Sequence, residues 1–462
     1  MALLVFILAA SWLINRLWAR LPVPDVLIKL WMPLLLLLIW LLYSLVQIVP
    51  LPLVLLETLS LAAVELNRYL LGENLPATMS LSLDQGATWA FFLQAAAYLT
   101  LFCLVLVLAN SRQRLRQLAL LLVYLGTAEA LFGLTNYFTN GQFGYFTPSA
   151  NWDASVIGTY MNRNHFAGLM EMSIPMALGL ILARRQQRRF YPTLKSRLRA
   201  LSAFFLSRQS QLYLCVVIML VALFFSASRG GNASLIISLF VGIALFRFTD
   251  RRIASRAKMS KVVFLMAILA VTWFGMGNLT LRLEKHGFES NRHLVREATY
   301  PLIADYPLFG TGAGTYEWVF PLYKTHDLGS FIYDHAHNDY LELLGNQGVV
   351  GFLLLAVPLL LLYQHIVRGL GRRRDPLLRG ILFGAFCGTL SMFIHAAVDF
   401  NFQIPANAAI FWCLLGMGAS ASIVRRNPIK MRHKVREKQY DHGEMESKQQ
   451  MVKTNSYADG IP

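Results

Sequence analysis

The chain has 462 residues and a formal net charge of +17, yet only 15% of its residues are charged and 56% are hydrophobic. A soluble globular protein carries about 25% charged residues. A mean hydropathy of +0.49 over the whole length therefore excludes an ordinary soluble enzyme, and equally a single-span receptor with a large aqueous domain. Apolar runs close to the ~20 residues that cross a bilayer recur almost end to end, so the sequence reads as an all-α polytopic membrane protein.

In chain order the apolar runs predict spans at about 2–18, 29–49, 87–109, 118–137, 165–183, 212–228, 232–246, 262–280, 350–367, 380–398 and 406–424. That makes about 11 spans, with residues 51–71 as an interfacial or re-entrant twelfth element. Run 2–18 reads as a retained helix: no basic stretch precedes it and no small-residue cleavage site follows. The loops alternate in charge. One set holds 34 of the 42 Lys and Arg residues, and the other holds eight, namely Arg68, Arg163, Arg229, Arg282, Lys285, Arg292, Arg296 and Lys324. Positive residues are retained in the cytoplasm, so the N-terminus is expected outside and the C-terminus inside. Orientation accounts for the basic charge, and no nucleic-acid partner is needed. Cys103, Cys215, Cys387 and Cys413 all fall in apolar runs, without a CxxC motif, which indicates neither disulfides nor zinc.

Residues 1–424 form the predicted membrane domain. Its one long outer segment, 281–349, carries Tyr300, Tyr306, Phe309, Tyr316, Trp318, Phe320, Tyr323, Phe331, Tyr333 and Tyr340. That aromatic density predicts a compact cap on the membrane surface. The stretch 425–462 is basic and polar and reads as a disordered cytoplasmic tail.

Polar clusters at the outer ends of spans carry the candidate chemistry. YMNRNHFAG holds Arg163, Asn164 and His165 at the mouth of one span. An Asn-capped helix start with a snorkelling arginine is one reading, a cation aimed at an anionic headgroup the other. SASRGG places Arg229 in a turn too tight for an ordinary loop; a membrane-edge arginine is a functional hypothesis by default, with a plain interfacial turn as the alternative. In the long loop, Asn291-Arg292 precedes PLFGTGAGTYEW. Its GxGxG glycines read as a structural turn, because no strand–helix unit surrounds them as a dinucleotide site requires. YDHAHNDYLELLGNQG then brings His335, His337, Asn338, Asp339 and Glu342 to the membrane lip. A metal is one option for His-x-His, but no third well-spaced ligand accompanies it. A largely neutral histidine can instead take a proton from a hydroxyl. HAAVDFNFQIPAN, with His395, Asp399 and Asn401, is a further outer turn that can line the same site. Converging arginines with a candidate base fit a phosphate-bearing lipid substrate and group transfer to a hydroxyl.

The order of these motifs resembles the O-antigen ligase and polymerase superfamily of bacterial inner-membrane glycosyltransferases. The matching stretches are NRNHFAG at Asn162, SRGG at Ser228, Arg292 with PLFGTGAGTYEW, HAHNDYLELLGNQGVVGF at His335, and the His395–Asp399 turn, roughly 160–415 in all. The resemblance implies a C-type glycosyltransferase-like membrane fold with a large periplasmic loop. It implies a glycan donor linked to undecaprenyl pyrophosphate, an acceptor that is lipid A core or another glycan, inversion at the anomeric carbon, and neither cofactor nor metal. By the same resemblance Arg229 and Arg292 hold the pyrophosphate and His337 is the base; Arg163, Asn164, Tyr316, His335, Asn338, Asp339 and Asp399 are the candidate substrate contacts. One departure is Arg296, where an aromatic often stands four positions after the loop arginine. Ligase activity is preferred over repeat-unit polymerisation. The reading from another class is a transporter or flippase of lipid-linked glycan, which should carry charged groups near the bilayer midplane.

Overall fold

A computed structural model describes residues 1–142, 155–183, 193, 207–249 and 291–424. The span expected at 262–280, the start of the outer loop at 281–290 and the tail from 425 lie outside the described residues.

The membrane domain is a bundle of helices. Those long and apolar enough to cross a membrane are α3 (Trp31–Ile48), α6 (Gln85–Leu108), α7 (Arg112–Phe138), α8 (Arg163–Leu182), α10 (Arg229–Thr249), α13 (Asp339–Arg372), α14 (Pro376–His395) and α15 (Pro405–Ile423). Two shorter apolar helices join them, α1 (Ala2–Trp18) and α9 (Arg208–Phe225). The all-α polytopic expectation holds. After the short α2 (Asp25–Lys29) and the long α3, residues 51–71 form α4 (Leu53–Leu59) and α5 (Leu61–Leu71), each too short to cross a bilayer. A two-residue antiparallel pair, β1 (Leu51–Pro52) with β2 (Thr78–Met79), closes this segment.

Helix starts are set by side-chain caps. Ser111, Asn162, Asn338 and Asp375 each accept a backbone N–H of the first turn that follows, and Pro376 occupies the first position of α14. Arg112 pairs with Asp375 at 3.4 Å at one end of the bundle. The 20 residues of α14 carry the chain about 30 Å from there to His395 at the other end.

The packing is tightest between α8 and α14. A Cβ on Gly179 would lie 2.1 Å from the carbonyl oxygen of Gly380; one on Gly384 would meet Met176 Cα at 2.7 Å, and one on Gly388 would meet Met172 O at 3.0 Å. Gly380, Gly384 and Gly388 recur every fourth residue and so share one face of α14. Lipid tails are as apolar as leucine, so helices gain by close backbone contact, which small residues permit. The two antiparallel helices are thereby locked in a single register.

Residues 291–338 form the cap. α11 (Arg292–Asp305) and α12 (Tyr316–Val319) enclose a core of Val295, Leu302, Tyr316, Phe320, Leu328 and Tyr333. The glycine motifs fasten this cap to the bundle. Thr311 N and Gly312 N donate to the carbonyls of Gly345 and Asn346, and Val349 N and Val350 N donate to those of Pro307 and Leu308. At the crossing α13 breaks at Gly348, with φ +62°. A Cβ on Gly310 would fall 2.4 Å from the backbone of Asn346, so PLFGTGAG and GNQG are two halves of one backbone contact. From α3, Gln47 Nε2 donates to Phe309 O at 2.8 Å, its Oε1 accepts from Ala313 N at 3.1 Å, and Trp40 Nε1 donates to Gln347 Oε1 at 2.8 Å.

Gly179→Ala is expected to destabilise the bundle by about 1–3 kcal/mol, as overpacking does, seen as a lower melting midpoint in detergent. Gly371→Ala, whose Cβ meets nothing closer than 3.7 Å, should leave that midpoint unchanged or raise it.

Candidate active site

The far end of α14 and the turn that follows it build the site. The carboxylate of Asp399, 1% exposed, is its centre. Oδ2 accepts from Asn164 Nδ2, in the first turn of α8, and from Arg292 Nη1, at the start of α11, at 3.3 Å. Oδ1 accepts the backbone N–H of Phe400 at 3.0 Å, and His337 Nδ1 lies 3.6 Å from it. Burial alone would raise the pKa of Asp399, but His337, Arg292, His395 and His165 hold the carboxyl below the usual range, so it is the charged centre of the cluster.

His337 sits in the left-handed region at φ +50°. Its Nδ1 is buried and has no hydrogen-bond partner within reach among the described residues. The next residue, Asn338, caps α13 through Tyr340 N and Leu341 N and donates to Ala397 O at 2.9 Å. Asp339 N donates to Ala396 O, and the Asp339 carboxylate accepts from Phe402 N at 3.1 Å and Gln403 Nε2 at 3.2 Å. His337 is thus carried on a backbone stapled to the Ala396–Gln403 turn, which leaves it little freedom to swing.

Phe400 is the hub that sequence reasoning missed. The rings of His165, His335 and His337 lie 4.7, 4.4 and 4.9 Å from its own. His335 Nδ1 pairs with Glu342 Oε1 at 3.0 Å, while Glu342 Oε2 accepts from Ala336 N. Burial lowers the pKa of His335, but the hydrogen bond with Glu342 and the charges of Glu342, Asp334 and Asp339 outweigh it, so the net shift is upward.

Arg229 lies on a third element. It opens α10 after a three-residue turn in which Ala227 takes φ +54°. Ser228 caps this helix by accepting from Gly231 N at 3.2 Å. Gly230 packs on His395: a Cβ there would lie 2.7 Å from Nε2. Arg163 is half-buried beside Asn164 at the head of α8. Tyr316 is elsewhere. Its ring is 1% exposed and stacks on Phe320 in the cap core, with its hydroxyl 2.7 Å from Thr299 Oγ1.

One further group escaped the sequence reading. Glu171 is fully buried on α8, 3.1 Å from His395 Nδ1, and accepts from Ser391 Oγ. The signal was a single acid in an otherwise apolar run, seven residues after Asn164 and so on the same helix face. Nearer the start of α8, Asn407 Nδ2 donates to His165 O at 2.8 Å and Asn407 Oδ1 accepts from Tyr160 at 2.9 Å.

The fold and site thus define a multi-pass membrane protein with arginines, histidines and buried carboxylates, Asp399 at their centre, gathered at one end of its helices. Residues 214–356 match the family model described as O-Antigen ligase (Wzy_C), which supports the resemblance of this stretch to the O-antigen ligase superfamily. The match covers less than a third of the chain and includes Arg229, Arg292, His335, His337, Asn338 and Asp339. Arg163, Asn164 and Asp399 fall outside it. No curated protein matches the chain.

A histidine whose folded pKa lies above the ordinary ~6.5 contributes stability that is fully present below that pH and lost as pH rises through the folded value. The melting midpoint of the wild-type chain should therefore exceed that of His335→Gln by more at about pH 5.5 than at about pH 8.5. An equal difference at both would remove the charged pair with Glu342 from the stability of this loop.

Proposed function

We propose that this protein is a membrane glycosyltransferase that moves a glycan from undecaprenyl pyrophosphate to an acceptor hydroxyl on the periplasmic face of a bacterial inner membrane. The observation that carries the reading is the meeting of Asn164, Arg292 and His337 on the Asp399 carboxylate, with the Arg229 turn packed alongside on His395. The excess of basic residues in the opposite set of loops supports a periplasmic site.

In the proposed reaction His337 Nδ1–H faces Asp399, which leaves the Nε2 lone pair to take the acceptor proton. The 3.6 Å separation closes on substrate binding, as catalytic hydrogen bonds tighten in the Michaelis complex. The acceptor oxygen attacks the anomeric carbon from the face opposite the leaving group. The bond from that carbon to the phosphate oxygen breaks, and its electron pair departs with the pyrophosphate. Arg229 and Arg292 stabilise the charge that develops there. A guanidinium offers five N–H donors, and Asp399 holds one edge of Arg292 while the rest can face phosphate oxygens. The buried carboxylate thus orients both the base and a phosphate clamp. Arg163, at the head of α8 beside Asn164, is assigned to a distal phosphate or headgroup. Transport is the weaker reading, because the charged groups of the site gather at the helix ends, and Glu171 within α8 is fully enclosed rather than lining a path.

The test is transfer by the purified chain in nanodiscs, offered an undecaprenyl-pyrophosphate glycan with and without lipid A core. Glycan on the core is the expected product; a ladder of repeats on the carrier would instead make the protein a polymerase. Donor binding without transfer would favour a transporter. His337→Ala should lower kcat by at least about 100-fold, the usual range for removing a general base, with donor binding retained. Arg292→Lys should remain impaired by about 10-fold or more, because lysine lacks the planar fork that can serve Asp399 and a phosphate together. Wild-type turnover in that variant would reduce Arg292 to a simple point charge.

A further inference from the structure

Glu171 plays no part in the transfer step above, and its side chain, fully buried on α8, reaches no open space. A carboxylate–imidazole pair enclosed in a membrane domain is costly. Stability alone is weak ground for keeping one, since apolar side chains of the same volume often pack as well. Its contacts point to another role.

His395 grips two turns at once. Its carbonyl accepts from Val398 N at 2.9 Å and Asp399 N at 3.1 Å. The far edge of its ring forms the wall for the first turn of α10: a Cβ on Gly230 would come 2.7 Å from Nε2 and 2.9 Å from Cδ2, and one on Gly231 would come 3.5 Å from Cε1. Glu171 sets that ring. Oε1 lies 3.1 Å from Nδ1, and Oε2 accepts from Ser391 Oγ at 3.1 Å, one turn earlier on α14. A carboxylate on Nδ1–H fixes both tautomer and rotation of an imidazole, as it does behind metal-bound histidines.

We propose that Glu171 is a positioning residue for the transferase site: through His395 it holds the Ser228–Gly231 turn, which carries Arg229, against the Val398–Phe400 turn, which carries Asp399. The spacing between the Arg229 clamp and the Asp399–His337 pair is then set from inside the bundle, by a group that never touches substrate. The proposal rests on the glycosyltransferase reading for its consequence, but not for its structural content.

Two readouts test it on the full chain in nanodiscs: hydrogen–deuterium exchange by mass spectrometry, and steady-state transfer from an undecaprenyl-pyrophosphate glycan. In Glu171→Leu, exchange should quicken in peptides covering 226–232 and 396–401 while the 307–314 turn stays as in the wild type. The kcat should fall about 10-fold or more with KM for the donor within about twofold. Glu171→Gln, which keeps an acceptor for Nδ1–H, should recover most of both. Should Glu171→Leu fail to accumulate, Ser391→Ala replaces it, with the same pattern at about twofold to fivefold. Unchanged exchange in the two turns, or faster exchange with kcat unaltered, overturns the proposal. So does a Glu171→Gln variant as impaired as Glu171→Leu, which would assign the effect to charge rather than to the hydrogen bond. A wild-type chain that transfers nothing, while exchange responds as described, sinks the transferase reading and leaves the positioning role standing.

Discussion

The direct contact of backbone with backbone between α8 and α14 is the constraint on which the site depends. With Gly179 seated on the Gly380 carbonyl and Gly384 and Gly388 against Met176 and Met172, the helices can neither slide nor separate without opening a gap in a close-packed interior. Carried past the Met172–Gly388 contact, the same register brings Glu171 beside Ser391 and His395. Carried beyond the end of α14, it brings Asn164 to Asp399 and sets Gly168 against Asn401. A chain of contacts one helix long thus converts a small-residue seam, which has no chemistry, into the placement of a buried carboxylate, which does.

That carboxylate explains how so many cationic or protonatable groups crowd one end of the bundle. A lone buried carboxylate would protonate rather than bear its charge. Asp399 stays ionised because the guanidinium of Arg292, the amide of Asn164 and the N–H of Phe400 converge on it. The attraction works in both directions. Arg292 opens α11 of the cap, so the ion pair is also a tether between cap and bundle, and its 3.3 Å contact ties the orientation of the cap to that of the site. The Gly310–Gly348 crossing and the Gln47 hydrogen bonds supply the second tether from the opposite edge of the cap.

Much of this was legible in the sequence, because the bilayer is an unforgiving solvent. Apolar runs located the helices, since each must satisfy its own backbone, and the halting of 51–71 as two short helices follows from Pro52 and from Ser60 between α4 and α5. The glycines of GTGAG could be read as a turn; that they clasp GNQG could not, because such a contact pairs residues 34 apart. The polar clusters named candidates without naming their geometry. Nothing in one sequence says that Asp399 gathers Asn164, Arg292 and His337 while Tyr316 turns inward to Thr299. Phe400 was one phenylalanine among 30, and Glu171 was hidden by the apolar run around it.

The break at Gly348 shows why a site of this kind sits where a helix leaves the membrane. Before it, α13 is polar: Asp339 and Glu342 are buried but fully engaged, by Phe402 N and Gln403 and by His335 and Ala336 N. After it, the same helix is apolar from Val349 to Tyr363. A straight helix would have had to carry those carboxylates along the line of the span. By turning at a glycine whose Cβ would strike Leu308 O at 2.2 Å, the chain lets the cap close over the polar half while the apolar half faces lipid. The HAHND loop is thereby held at the boundary itself. On the glycosyltransferase reading, a reactant anchored in the bilayer by its tail and one approaching from water would meet the same histidine there.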